Sequence, residues 1–209
     1  MIIPVKVKTI TPLHLGSGKA DVLIDAEVVH DEYGLPYLPA KRFKGVLFES
    51  ALEVVEMFEE CNSKIVTRAE LIAIFGRDEA DSNLAIHDLH VANYEEIAKA
   101  WKYLQNKYSK VINANDVLAE YSEVRYQTKI DRETGTAADK SLHNMRVVDK
   151  GITFVGEIEL FHDNEKENLL LALALKNLQY IGAKRNRGFG KILCELTKDQ
   201  KELIERSLN

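Results

Sequence analysis

The sequence predicts an α+β protein with an antiparallel sheet, ferredoxin-like in its element order and carrying a peripheral helical insertion. Three observations lead there. Apolar and polar residues alternate at the N terminus and again from Ile152, the signature of half-buried strands far apart in the chain. Two helical apolar stripes lie between and after those strands, one following Pro39 and one over Glu165 to Tyr180. The chain has 209 residues, the length of one domain or of one domain with a sizeable insertion.

Taken in order, Ile3, Val5 and Val7 alternate with Pro4, Lys6 and Lys8 as a first strand. A Gly-containing loop follows, then Val22 to His30, which alternates and reads as a second strand. Asp31-Glu32-Tyr33-Gly34 signals a turn, and Leu35 to Pro39 leads into a helix with Leu47, Ala51, Val54 and Phe58 on one face. Thr67-Arg68-Ala69-Glu70 is a capping box opening a short helix that ends near Gly76. Leu84 to Val91 reads as a strand and Tyr94 to Tyr108 as an amphipathic peripheral helix, within an insertion placed at 61–120. Ser122 to Ile130 is extended. Asp131 to Met145, rich in Thr, Gly, Ala, Asp and Lys, has no periodicity and reads as a long mobile loop within 125–150. Ile152 to Leu160 alternates again, Glu165 to Tyr180 is a helix, and Lys191 to Leu196 closes the sheet. The core order is β-(β)-α-β-β-α-β, one domain over 1–209.

Composition narrows the function. With 45% hydrophobic and 29% charged residues the chain is an ordinary globular protein. Cys61 and Cys194 are too few for a disulfide framework and have no neighbours at metal-ligand spacing, which points to a reducing compartment. Met1-Ile2-Ile3 runs directly into Pro4, Lys6 and Lys8, which is no signal-peptide core. The longest apolar run, Leu169 to Leu175, is too short to cross a bilayer, so a cytoplasmic protein with no membrane partner is expected. The net charge of −5 argues against a general nucleic-acid binder, but local clusters set affinity for phosphate. Lys41-Arg42-Phe43-Lys44 is one cluster and Lys184-Arg185-Asn186-Arg187, extended by Lys191, is another; neither contains an acid.

The sharpest local signal is Gly182-Ala183-Lys184-Arg185-Asn186-Arg187-Gly188-Phe189-Gly190, between a helix and a strand. Glycines let a backbone approach a ligand and expose its N–H groups, while the cations neutralise phosphates. A surface turn with solvated charges is the plain alternative, although such a turn needs neither three glycines nor four cations. Arg187-Gly188-Phe189-Gly190 also matches the start of the RNP1 strand motif, with Lys191 where an aromatic residue would follow.

Gly182, five residues, Gly188, an aromatic residue and Gly190 resemble the glycine-rich loop of the RAMP superfamily of CRISPR proteins. Thr11-Pro12-Leu13-His14-Leu15-Gly16-Ser17-Gly18 resembles the family's first strand-to-loop segment. Gly34-Leu35-Pro36-Tyr37-Leu38-Pro39, followed by Lys41, Lys44 and Gly45, resembles its lead-in to the first helix, with Ala40-Lys41-Arg42 in place of Gly-Ser-Ser. Ile130-Asp131-Arg132-Glu133-Thr134-Gly135 resembles the "IDRxTG" thumb loop of type III (Csm/Cmr-like) backbone subunits. These segments span Thr11 to Gly190, with Val55 to Ser122 largely unmatched.

The resemblance implies an RRM-type palm with a thumb hairpin, repeated as a multi-copy filament along a guide RNA (crRNA) beside other CRISPR effector subunits. The palm would hold guide phosphates through Lys41, Arg42, Lys44, Gly182, Lys184, Arg185, Arg187, Gly188 and Gly190. The thumb would contribute Arg125, Lys129, Arg132, Lys140 and Arg146 while wedging the guide apart from target single-stranded RNA. Simple disorder in the free protein is the other reading of that loop. The resemblance further implies endoribonuclease cleavage of the target, with Asp25 in the position of the catalytic aspartate. There the substrate's own 2′-hydroxyl attacks the adjacent phosphate, and a carboxylate holds a divalent ion such as Mg²⁺ or shifts a proton. If residues 22 to 30 are extended, Asp25 and Glu27 share a face about 6–7 Å apart and could serve one hydrated ion. His14 and His30 are near in sequence. Asp25 as a plain surface carboxylate on an edge strand is the alternative.

Other candidates are weaker. Gly16-Ser17-Gly18-Lys19 has Leu13 at the first glycine of a phosphate loop and Ala20 at its hydroxyl position, so ATP binding is rejected. His87 and His90 with Asp88 make no zinc set, and Trp101 and Tyr108 read as packing residues, although aromatics facing a neighbouring subunit would look the same. Four functions remain: a cleaving backbone subunit, a non-cleaving or filament-capping relative, a guide-processing endoribonuclease, and an unrelated metabolic module. The third usually carries two ferredoxin-like units in tandem, which 209 residues with one glycine-rich loop fit poorly.

Overall fold

In the computed structural model, which describes residues 1–18, 24–76 and 81–208, β1 (Ile2–Thr9) is the strand on which the architecture is built. It buries Ile3, Val5, Val7 and Thr9 on one face and turns Pro4, Lys6 and Lys8 to the other. A two-residue β2 (Tyr37–Leu38) leads into α1 (Ala40–Glu60), and α2 (Arg68–Phe75) follows, opened by the capping box of Thr67 and Glu70. The expected strand over Leu84 to Val91 is broken into β3 (Leu84–Ile86) and β4 (Leu89–Val91). Asp88, between them, leaves the ladder to accept the Ala40 N–H at 2.7 Å. It thereby caps α1, whose Pro39 offers no side-chain cap.

Next come α3 (Tyr94–Lys107), α4 (Ala114–Ala119), β5 (Ser122–Gln127), β6 (His143–Val148), β7 (Thr153–Leu160), α5 (Glu165–Asn177), β8 (Ile192–Glu195) and α6 (Lys198–Leu208). The main sheet runs β2-β4-β7-β1-β8, with β3 also on β7 and every pair antiparallel. Within it β4-β7-β1-β8 is the order of a split βαβ motif, so the ferredoxin-like expectation holds. Helices α1, α2 and α5 cover the buried face. α5 is enclosed by α1, α2, α6 and the sheet, which is why Leu169 to Leu175 are all buried without one apolar side. It stops at Asn177, three residues before the sequence suggested, because Leu178 turns extended (φ −68°, ψ 104°).

One expectation is corrected. Residues 24 to 30 form no strand: Gly16 bridges Val28 and His30 bridges Pro36 as isolated pairs, with a bend at Asp25-Ala26. Val22 and Leu23 of the expected strand, like Lys19 and Ala20, lie outside the described residues. The expected thumb is a hairpin: its first strand falls in the stretch read as extended, and the start of its return strand, His143 to Met145, falls in the stretch read as an aperiodic loop. β5 and β6 pair from Ser122↔Val148 to Gln127↔His143, and Ile130 bridges Ala137 nearer the tip. Asp131 shapes that tip by accepting the N–H groups of Glu133 and Thr134, at 2.8 and 3.1 Å. Those two bonds hold its carboxyl below the usual aspartate value, the Thr134 amide foremost. No helix among the described residues is long and apolar enough to cross a membrane.

Candidate nucleic-acid interface

After α5 the chain folds a loop closed at its neck, where Tyr180 bridges Lys191 and the Ile181 N–H donates to the Gly190 carbonyl at 2.9 Å. Gly190 sits at φ +78°, and a Cβ there would lie 2.1 Å from the Ile181 oxygen. Gly182 sits at φ +85°, with a would-be Cβ 2.5 Å from the His14 oxygen. Both glycines are therefore dictated by backbone approach as well as by φ. They lay the loop on residues 12 to 14: the Gly190 N–H reaches the Pro12 carbonyl at 2.9 Å and the Ala183 N–H the His14 carbonyl at 3.2 Å. Gly188, at φ +82°, has open space around it.

The segment between these glycines is thrown outward. Lys184 takes a left-handed conformation (φ 60°) and Arg185 to Arg187 make one 3₁₀ turn with exposed side chains. Lys184 Nζ donates to Gln127 Oε1 at 2.7 Å, tying the loop to the end of β5. Burial, and secondarily Arg187, hold its ammonium below the ordinary lysine value. Arg185 lies 4.0 Å from Glu49 with both groups well exposed, a contact of little energy. Across from the loop stands the start of α1, whose first turn has no acid. Lys41 and Arg42 line a groove of about 450 Å³ with His14, Gly16, Gly182 and Ala183. The Arg42 guanidinium donates to the Gly16 carbonyl, which steadies the wall. Lys41 and Arg42 bring two cations to this wall, with the Glu49 carboxylate farther along it, and cations so placed suit a phosphate chain. Lys44 lies outside the groove, bonded to Ser82 Oγ at 3.0 Å.

The β5–β6 hairpin rises beside this groove. Lys129, Arg132 and Lys140 are exposed on it, and among the described residues none has an ion pair. Arg125 pairs instead with Glu123, Nε to Oε1 at 2.8 Å. Arg146 is withdrawn further: its Nε donates to Glu27 Oε1 at 2.9 Å, with each side chain only 12% exposed. Glu27 Oε1 also accepts the Val28 N–H at 2.9 Å. Asp25 stands apart from that pair, exposed at the bend. Its Oδ2 accepts the Asn144 N–H and its own N–H donates to Asn144 Oδ1, both at 2.8 Å. So Asp25 and Glu27 do not combine as one ligand pair, because Glu27 is neutralised by Arg146. His14 is 8% exposed, its Nδ1 donating to the Arg146 carbonyl at 2.8 Å, while His30 turns to the Asp31 carbonyl.

Among the described residues no group of three or more His, Cys, Asp or Glu side chains could hold a metal ion. Asp25 offers one exposed carboxylate. That suits a largely hydrated Mg²⁺ shared with phosphate oxygens, and not a metal centre built by protein alone. Sequence reasoning missed Asn144 and Gln127. Neither has a local signal, since their partners Asp25 and Lys184 are 119 and 57 positions away.

The model of the RAMP superfamily matches residues 6–193. No curated protein matches the chain in sequence. Two similar solved chains come from cryo-EM structures of type III-B Cmr-beta. One, bound to cognate target RNA, matches with a TM-score of 0.70 at 16% identity, over 96% of this chain and 98% of that one. The other, in the apo state, matches with a TM-score of 0.67 at 17% identity, over the same shares. At such identities the likeness is one of fold.

Proposed function

We propose, from the premise that this chain belongs to the RAMP superfamily, that it is a guide-RNA-binding backbone subunit of a type III CRISPR effector complex. In this reading it also cuts bound target RNA at Asp25. The observation that carries it is the groove between the glycine loop and α1, with a hairpin beside it and the exposed Asp25 carboxylate held against that hairpin by Asn144. The guide backbone lies in the groove, gripped through Lys41, Arg42, Lys184, Arg185 and Arg187 irrespective of base identity. Gly188, with open space around it, keeps the loop backbone bare of a side chain where phosphates pass, while Gly182 seats the loop against His14. The hairpin acts as the thumb between guide and target, with Lys129, Arg132 and Lys140 on its outer part. That a similar chain comes from an assembly holding cognate target RNA supports target RNA and further effector subunits as partners.

For cleavage, the hairpin brings the target backbone to Asp25, which is fixed by Asn144 and exposed at the bend. The Asp25 carboxylate would take the 2′-hydroxyl proton as that oxygen attacks the adjacent phosphate, breaking the P–O5′ bond to leave a 2′,3′-cyclic phosphate and a 5′-oxygen protonated by water, or would help hold a hydrated divalent cation that offsets the developing charge. Arg146 holds Glu27 away from this chemistry. That pairing favours a second reading, a non-cleaving scaffold or filament-capping subunit, because it leaves Asp25 without a companion carboxylate. Asp25→Ala in the assembled complex separates the two. Cleavage lost with guide and target still bound supports the first reading; cleavage unchanged leaves the scaffold.

A further inference from the structure

The insertion helix α3 carries a feature that the groove and hairpin do not use. Its inner stripe of Ile97, Ala98 and Trp101 packs toward the protein. Its outer face presents Lys102, Tyr103 and Lys107, continued by Tyr108 and Lys110 and flanked by Lys99. The acids of α3, Glu95 and Glu96, are confined to the first turn, where they complement the helix dipole. Among the described residues none of these lysines has an ion pair, whereas Arg68, Arg125, Arg146, Arg185 and Arg206 all do. Tyr103 is 60% and Tyr108 45% exposed, so the packing expected of Tyr108 is not its main role. Lys107 Nζ stands 5.5 and 5.4 Å from the two ring centroids and donates to Tyr103 Oη at 3.2 Å. The cation thus sits over both rings, which are otherwise largely exposed.

The platform is rigidly mounted. Tyr94 Oη donates to Asp31 Oδ2 at 2.8 Å, Gln105 Nε2 to the Tyr33 carbonyl at 3.1 Å, and the Tyr94 ring lies 4.3 Å from that of His90. No α3 residue lines the groove between the glycine loop and α1.

We infer that the outer face of α3 is a second RNA contact, taking unpaired nucleotides of a strand that extends beyond the groove. This deepens the RNA-binding reading and rests on it. The chemistry selects the ligand: lysines meet successive phosphates while Tyr103 and Tyr108 offer π-faces to bases. Only an unpaired strand has bases free to stack there, so duplex RNA is disfavoured.

The test uses the whole chain and fluorescein-labelled oligouridine of two lengths, one just filling the groove and one several times longer, read by anisotropy against salt. Lys102→Ala/Lys107→Ala/Lys110→Ala removes only exposed side chains. It is expected to lower the log–log salt slope for the long RNA by about 2 and leave the short RNA unchanged. Tyr103→Ala is expected to weaken the long RNA at least about fivefold, with Tyr103→Phe close to the parent. Parent-like affinity and slope of the triple variant on long RNA would overturn the inference, whichever acidic protein then engages the face. So would an equal loss on duplex RNA. A parent chain that binds neither length would instead bring down the RNA-binding reading itself.

Discussion

Asp25 and Asn144 hold one another through two reciprocal hydrogen bonds, each 2.8 Å long, joining the bend after the first strand to the start of β6. Aspartate could be replaced there by asparagine without losing either bond, because an amide oxygen also accepts from the Asn144 N–H. Asp25→Asn therefore isolates the charge from the architecture. Target cleavage by the assembled complex should fall by about 10²-fold or more, the usual weight of a lost acid–base group. Guide and target affinity should stay at the parent level, read by gel shift on the same complex. Cleavage at the parent rate would remove Asp25 from the chemistry.

Glu27 and Arg146 bind the same two regions by charge, and their near-complete burial decides the energy. Removing one partner strands the other in a poorly solvated site. Glu27→Ala should cost about 2–3 kcal/mol of unfolding free energy, below the full buried-pair value because a little water reaches the pair. Arg146→Ala should cost a similar amount, and the double variant distinctly less than the sum, in urea titrations. Additive losses would mean that the two side chains do not act as a pair.

These contacts also mark where sequence stops being informative. β1 and β7 were legible because helices cover one face and solvent the other, which imposes a period of two on Ile3, Val5 and Val7 and on Phe154, Ile158 and Leu160. Of the β5–β6 hairpin, the first strand was legible as an extended run, but the start of β6 at His143 was not, since the hairpin stands away from the core from Arg125 outward and no buried face imposes alternation there. Ile24 and Val28 are buried, yet from pairing across a bent ribbon and not within a strand. α4 and α6 went unread although Asn113 with Asp116, and Thr197 with Gln200, form reciprocal caps at the spacing already recognised at Thr67 and Glu70. In the site, the glycine loop and both cationic clusters were local in sequence and therefore visible. The commitment of Arg146 to Glu27 is a long-range contact, and nothing around residue 146 announces it.

The three loop glycines should separate by what surrounds them. Gly190→Ala combines a left-handed φ with a backbone oxygen 2.1 Å from the new carbon, so more than about 2 kcal/mol of stability should be lost. Gly182→Ala meets the His14 oxygen at 2.5 Å and should rank just below it. Gly188→Ala has φ +82° but open space, and about 1 kcal/mol is expected. Thermal melts of the three variants check the order; a Gly188→Ala loss as large as that at Gly190 would contradict the contacts seen here.

Replacing Lys184, Arg185 and Arg187 together by Ala should weaken RNA binding alike for unrelated sequences, since phosphate contacts position a strand without reading it. On single-stranded RNA the log–log salt slope should fall by about 2, three phosphate contacts at roughly 0.7 each. Lys184 adds a pH signature. Burial and Arg187 lower its proton affinity below that of an ordinary lysine, so it loses its charge earlier as pH rises. The deficit of Lys184→Ala relative to the parent should accordingly shrink on the alkaline side before ordinary exposed lysines titrate. A deficit constant up to the ordinary lysine value would place the charge of Lys184 outside the contact. A loss confined to one RNA sequence would replace phosphate grip by base readout at this loop.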